Sequence, residues 1–387
     1  MWKWAVVTAL AFILVVAGFS LAETGSGDAG ESSAMLAPAA ADTAGFARAD
    51  APREWAFPQD FGPHPAYQTE WWYYTGNLAD EDGRRFGYQF TIFRRALTPE
   101  LPPEGASEWR SNDLYMAHFA LTDVAGNQFF HDERFSRGGA GLAGAATDPA
   151  YRVWLEDWQV VAEDANALQT RITAEADDYA VDLTLTQDKP PALQGDHGLS
   201  AKSAEPGNAS YYYSLSHLLT EGTVTIGGQS FTVEGLSWKD HEFGTSALGE
   251  SALGWDWFGL QLDDGRELMV GQIRQRDGGT DPYFGGLLVY PDGQTRTLPA
   301  RSFTIEATDT WVSPHSGAAY PAGWQITVNL GEDEPPLRLT LTPQVADQEL
   351  YGGGIAYWEG SVRISGDAGG YGYAELTGYA DSMTGRL

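Results

Sequence analysis

Apolar residues recur at every second position through most of this chain after residue 70, and no other feature restricts its fold as tightly. Phe86, Tyr88, Phe90 and Ile92 share one side of the segment GRRFGYQFTIF. Val181, Leu183 and Leu185 do the same, as do Phe258, Leu260 and Leu262, and later Ile326, Val328 and Leu330 followed by Leu337, Leu339 and Leu341. Side chains alternate across a strand, so a period of two marks a strand with one buried face. Turn residues separate the runs: Asp82-Gly83, Gly126-Asn127, Gly227-Gly228, Asp264-Gly265 and Asp292-Gly293. An Asp-Gly pair tolerates positive φ at both turn positions, so FGLQLDDGRELMVGQIR reads as one hairpin. No window carries a capped apolar stripe of helical period. Many short strands with regular turns predict an all-β molecule, a sandwich or barrel of antiparallel sheets.

The 387 residues exceed one ordinary domain, which makes two such units the expectation. The small-residue run from Thr245 to Gly254 is the best junction, dividing the chain into 52–248 and 249–387. Pro190 to Ser210 reads as an excursion loop. Ahead of both units, Lys3, the apolar run Ala5 to Ala17 and Ser20-Leu21-Ala22 have the parts of a secretory signal over 1–22, cut after Ala22. An uncleaved anchor is the alternative, short for a span. Residues 23–51 are mostly small or acidic and read as a disordered linker. The expected location is therefore periplasmic or secreted, with membrane contact only through an uncleaved N-terminus. The absence of cysteine removes disulfides, thiolate metal sites and cysteine nucleophiles. A formal charge of −30 opposes any nucleic-acid partner, since phosphate binding relies on Lys and Arg.

Several familiar sites can be set aside. The GxGxxG match at Gly139 to Gly144 lacks a strand–helix setting. His241-Glu242 opens like HExxH, but Thr245 stands where the second histidine belongs. The seven histidines form no ligand set by spacing, so neither metal nor cofactor is expected, which leaves open only a metal site assembled in three dimensions. Two aromatic-acidic clusters remain. In the first, Glu70-Trp71-Trp72-Tyr73-Tyr74, alternation puts Glu70 on the side of Trp72 and Tyr74. The second joins Trp238-Lys239-Asp240-His241-Glu242-Phe243 to Trp255-Asp256-Trp257. Asp256 falls on the apolar side with Phe258 and Leu260. A carboxyl there either keeps its proton or is structural, capping a turn or paired with an arginine such as Arg94 or Arg274.

The strings QTEWWYYTGNL, FGYQFTIFRR, HFALTD, GLSWKDHEFGTSAL, GWDWFGLQLDDGRELM, YWEGSVRISG and GYAELTGY, in this order from about Pro63 to the C-terminus, resemble the AttH/CrtC family. The resemblance implies two lipocalin-like barrel or sandwich domains. It also implies one of two roles: a carotenoid 1,2-hydratase, or a secreted AttH-type protein often described as a predicted secreted hydrolase and often encoded near ABC-transporter components. The hydratase branch carries a tryptophan two residues past the motif histidine, where this chain has Phe243. The leading expectation is thus a carrier for a hydrophobic lipid or isoprenoid, with transporter components as partners. The alternative is water addition to an isoprenoid double bond. In that case Asp240, Glu242 or Asp256 would donate a proton, and His241 would serve as base. Glu70, Trp71, Trp72, Tyr74, Trp238, Phe243, Trp255 and Trp257 would contact the ligand, the indoles facing the cation.

Overall fold

The computed structural model describes residues 43–245, 248–249, 251–332 and 334–383. The expected signal segment and the linker up to residue 42 lie outside the described residues. Among them there is no α-helix, only single 3-10 turns at Gln59–Phe61 and Ala300–Ser302, and so no helix able to cross a membrane. Apart from a separate two-stranded pair, Thr310–Val312 with Ala319–Pro321, the strands form two antiparallel sheets, each curled into a nearly closed barrel, the two-domain lipocalin-like arrangement. The first sheet has 13 strands. Its path runs from Gln128–Arg137 through Asp113–Asp123, Arg85–Ala96 and Thr69–Asp80 to Gln229–Gly244, then Ala209–Ile226, Tyr179–Gln187 and onward to Ala143–Ala146. The second has ten, with Ala252–Leu262 between Glu267–Gln275 and Gly370–Leu376, and Tyr357–Gly366 next in line. The sheets part between Gly244 and Ala252.

Each barrel is filled by the alternating residues. Phe86, Tyr88, Phe90 and Ile92 pack with Val181, Leu183 and Leu185 inside the first. Phe258, Leu260 and Leu262 pack with Ile326, Val328, Leu337, Leu339 and Leu341 inside the second. The expected hairpin is present, with Gln261 opposite Glu267. Its turn has Gly265 at φ +82°, and the Arg266 amide donates to Asp264 Oδ1 at 3.1 Å.

Two segments are more ordered than their composition suggests. Within Pro190 to Ser210, Ala192–Leu193 and Leu199–Ala201 pair with Ala209–Ile226. That strand would otherwise leave backbone groups unpaired along its edge. In 43–51, counted above as linker, the Ala47 amide donates to the Ala66 carbonyl at 2.9 Å, and Ala49 is buried against Ala209, Tyr211 and Phe243.

The barrels lie side by side and touch through their outward faces, where Tyr73, Tyr212 and Trp238 of the first pack with Trp257, Met269 and Tyr373 of the second and polar groups join them. Asn77 Nδ2 donates to the Gly372 carbonyl at 3.0 Å. Gln261 Nε2 donates to the carbonyls of Ser216 and Ser237 at 2.8 and 3.0 Å. Between the faces a cavity remains.

Candidate active site between the barrels

Strand alternation decides which side chains reach this cavity. Trp71 and Tyr73 point outward from the Thr69–Asp80 strand, as Asp240 and Glu242 do from Gln229–Gly244, and all four line the space. In register, Trp71 lies opposite Glu242 and Tyr73 opposite Asp240. The second barrel supplies Trp255 and Trp257, together with Glu359 and Glu375, which face each other across adjacent strands. The cavity measures about 110 Å³. The partly exposed Trp71, Phe93, Lys202, Leu248 and Trp255 mark its entrance.

Asp240 is buried and accepts three hydrogen bonds: from Ser214 Oγ at 2.5 Å, Tyr212 OH at 2.6 Å and Trp238 Nε1 at 2.7 Å. Two of these donors are themselves held. Gln194 Nε2 donates to Ser214 Oγ at 2.8 Å and Trp257 Nε1 to Tyr212 OH at 3.1 Å, so both hydroxyl protons must point at Asp240. Burial pushes the Asp240 carboxyl up to about 7, against the opposing pull of those donors. Glu359 is 1% exposed, and its Oε1 accepts from Tyr73 OH at 2.5 Å. Its buried Oε2 has no partner. Burial first, then the neighbouring Glu375 charge, raises this carboxyl well above the carboxylate range, which favours its protonated form. Burial likewise lifts Glu375 to about 7. Glu242 is paired with Lys202 at 2.6 Å. A further line of groups leads from the cavity along the outward face of the first barrel. Tyr357, which lines the cavity, bonds through its hydroxyl to His118 Nδ1 at 2.7 Å, and His118 Nε2 meets the partly exposed Glu133 at 2.8 Å.

The other sequence candidates lie elsewhere. Glu70, Trp72, Tyr74, His241 and Phe243 face the interior of the first barrel. Trp72 and Tyr74 are core there. Glu70 binds His64 Nδ1 at 2.8 Å, His241 Nε2 at 2.9 Å and Arg94 Nε at 3.1 Å. Burial alone would raise the Glu70 carboxyl, but these partners hold it far below the carboxylate range. Burial pushes the His241 imidazole down, so it is neutral, donating from Nε2 to Glu70 and accepting from Tyr213 OH at 2.9 Å. His64, Glu70 and His241 offer donor atoms within 4.8 Å of one another. The Arg94 guanidinium already sits on the carboxylate, and hydrogen bonds join each ring to it, so the trio is closed as it stands. Phe243 stacks on His64 at 3.5 Å, away from the cavity.

Asp256 does lie on the side of Phe258 and Leu260, but Arg274 Nε at 3.0 Å, Gln272 Nε2 at 2.8 Å and Tyr379 OH at 3.0 Å enclose it. It is the arginine-paired carboxylate that the alternative reading expected. Trp238 stands behind the wall as a donor to Asp240 rather than on the cavity surface.

Glu359 and Glu375 are the residues that sequence reasoning passed over. Each is a lone acid in a buried strand, within the segments YWEGSVRISG and GYAELTGY. That placement was the available signal.

A family model described as AttH-like matches residues 48–379. Among solved structures, a provisionally assigned AttH of Nitrosomonas europaea is 34% identical with a TM-score of 0.73, covering 85% of this chain and 99% of that one. Kievitone hydratase from Nectria haematococca shares the fold at 14% identity and a TM-score of 0.65, over 91% of this chain and 99% of that one. No curated protein matches the chain.

Proposed function

The chain belongs to the AttH-like family, and from that premise we propose that the inter-barrel cavity binds an apolar unsaturated molecule and adds water across one of its double bonds. One observation carries this reading: the Glu359 carboxyl, which burial pushes well above the carboxylate range, has a buried, unpartnered oxygen on an aromatic-walled cavity. The carrier function expected from sequence accounts for the aromatic walls. It gives no reason to bury Glu359 and Asp240 without counter-cations, an arrangement that is unfavourable unless used.

The roles follow from the protonation states. Glu359 Oε2 gives its proton to one alkene carbon and becomes a carboxylate. The other carbon becomes cationic, and the faces of Trp71 and Trp257 attract it by roughly 0.5–2 kcal/mol each. A water oxygen bonds to that carbon, and its proton passes to Asp240, whose value near neutrality suits a base. The product has gained one hydrogen and one hydroxyl. Return of the proton to Glu359 completes the cycle, and the Glu133–His118–Tyr357 line offers a route between cavity and solvent. The hydratase named among the fold neighbours makes water addition the first reaction to test.

The experiment follows a prenyl-bearing phenol in deuterated water by mass spectrometry. The wild-type chain should form a deuterated hydrate. Glu359→Gln should lower the rate by about a hundredfold or more while binding changes only a few-fold. Equal rates in the two proteins would remove Glu359 as the acid.

A further inference from the structure

The entrance of the cavity already holds an organic cation, supplied by the chain itself. Lys202 follows the short Leu199–Ala201 strand, at the start of an exposed turn. Its Nζ lies 2.6 Å from Glu242 Oε1 and 3.4 Å from Ser200 Oγ. It also sits 4.8 Å from the ring centroid of Phe284 and 5.6 Å from that of Tyr212. A carboxylate between aromatic faces is the general chemistry of ammonium recognition. Among the described lining residues Lys202 is the only cation, against Asp240, Glu242, Glu359 and Glu375. An anionic ligand would meet the Glu242 carboxylate and no unpaired cation among the described lining residues. A neutral one would leave the Lys202–Glu242 pair in place. A ligand carrying an ammonium group could take the place of Lys202 on Glu242, exchanging one cation for another with no new buried charge.

We infer that the cavity entrance is an ammonium subsite that Lys202 occupies as a displaceable stand-in, so that the preferred ligand is an apolar molecule bearing an amine. This rests on the proposed function in one respect, that the cavity takes an apolar ligand at all. Displacing a tethered lysine lowers the apparent affinity of any competing amine. Removing the lysine should therefore raise it.

The test uses three probes with one skeleton: 2-phenylethylammonium, 2-phenylethanol and phenylacetate, titrated calorimetrically into the full chain at neutral pH. The amine should bind about fivefold tighter than the alcohol, and phenylacetate weakest. Lys202→Ala should strengthen the amine by about threefold or more and leave the alcohol within about twofold. Glu242→Gln should erase the amine's advantage. Should Glu242→Gln fail to fold by circular dichroism, Lys202→Met, which keeps the apolar stem, should repeat the gain seen with alanine. The inference is overturned if the amine binds no better than the alcohol in Lys202→Ala, or keeps its advantage in Glu242→Gln. Alcohol binding without an amine preference removes the subsite alone. If no probe binds to any of the variants, the proposed function falls with it.

Discussion

A carboxyl on a buried strand face can avoid an unmatched charge by pairing or by keeping its proton, and this molecule does both. Glu70, Asp256 and Glu267 are paired with Arg94, Arg274 and Lys189. Asp240 and Glu359 have hydroxyl and indole donors but no cation, and their carboxyls move up. The consequence for stability has a definite sign. Asp240 rises from 3.8 to about 7 on folding. Between those values the folded chain holds a proton that the unfolded chain has released. The stabilisation is therefore complete below about pH 4 and is lost as pH rises towards 7. Asp240→Asn should remove this dependence, worth up to about 1.4 kcal/mol per pH unit. Denaturant melts of both proteins from pH 4 to 8 measure it. Parallel curves would show that Asp240 is ionised throughout.

At the scale of the element, the Gln229–Gly244 strand belongs to two sites at once. Asp240, His241 and Glu242 look like one catalytic cluster when read along the chain. A strand sends neighbours to opposite faces, so His241 enters the first barrel while Asp240 and Glu242 enter the cavity. The period of two is legible in the sequence, and it sets Glu70 apart from Trp71. Applied equally to Asp240-His241-Glu242, the same period separates acid from imidazole. His241→Ala should destabilise the fold by about 1.5–3 kcal/mol, because Glu70 loses a buried donor. It should leave the affinity for 2-phenylethanol within about twofold. Thermal melts and calorimetry check both parts. A large affinity loss with unchanged melting would place His241 in the cavity's chemistry.

At the scale of the whole molecule, the cavity exists only because the barrels are held against each other. Lys189 of the first barrel buries its Nζ 2.8 Å from Glu267 of the second, and also donates to the Gly265 and Tyr290 carbonyls at 2.7 and 3.1 Å. His217 meets the same carboxylate at 2.8 Å. Lys189→Ala would leave Glu267 buried with its main counter-cation gone, at a cost of about 3–5 kcal/mol. Differential scanning calorimetry should show a lower transition, or two where the wild type has one. An unchanged transition would mean that this contact does not join the barrels.

The amino-acid sequence by itself determined the strands, their hairpins, the division into two barrels and the residues filling each, from Phe86 and Val181 in one to Phe258 and Leu341 in the other. These depend on local period and turn chemistry, which a linear reading contains. Only the tertiary structure decided that Glu359 and Glu375 stand with Asp240, that Arg274 closes on Asp256, and that Lys202 covers Glu242. Those pairings join residues 18 to 135 positions apart or cross from one barrel to the other. The outward faces that carry them show the same alternation whether they meet water or each other. Burial, which raises the carboxyls lining the cavity, arises only when the two faces come together.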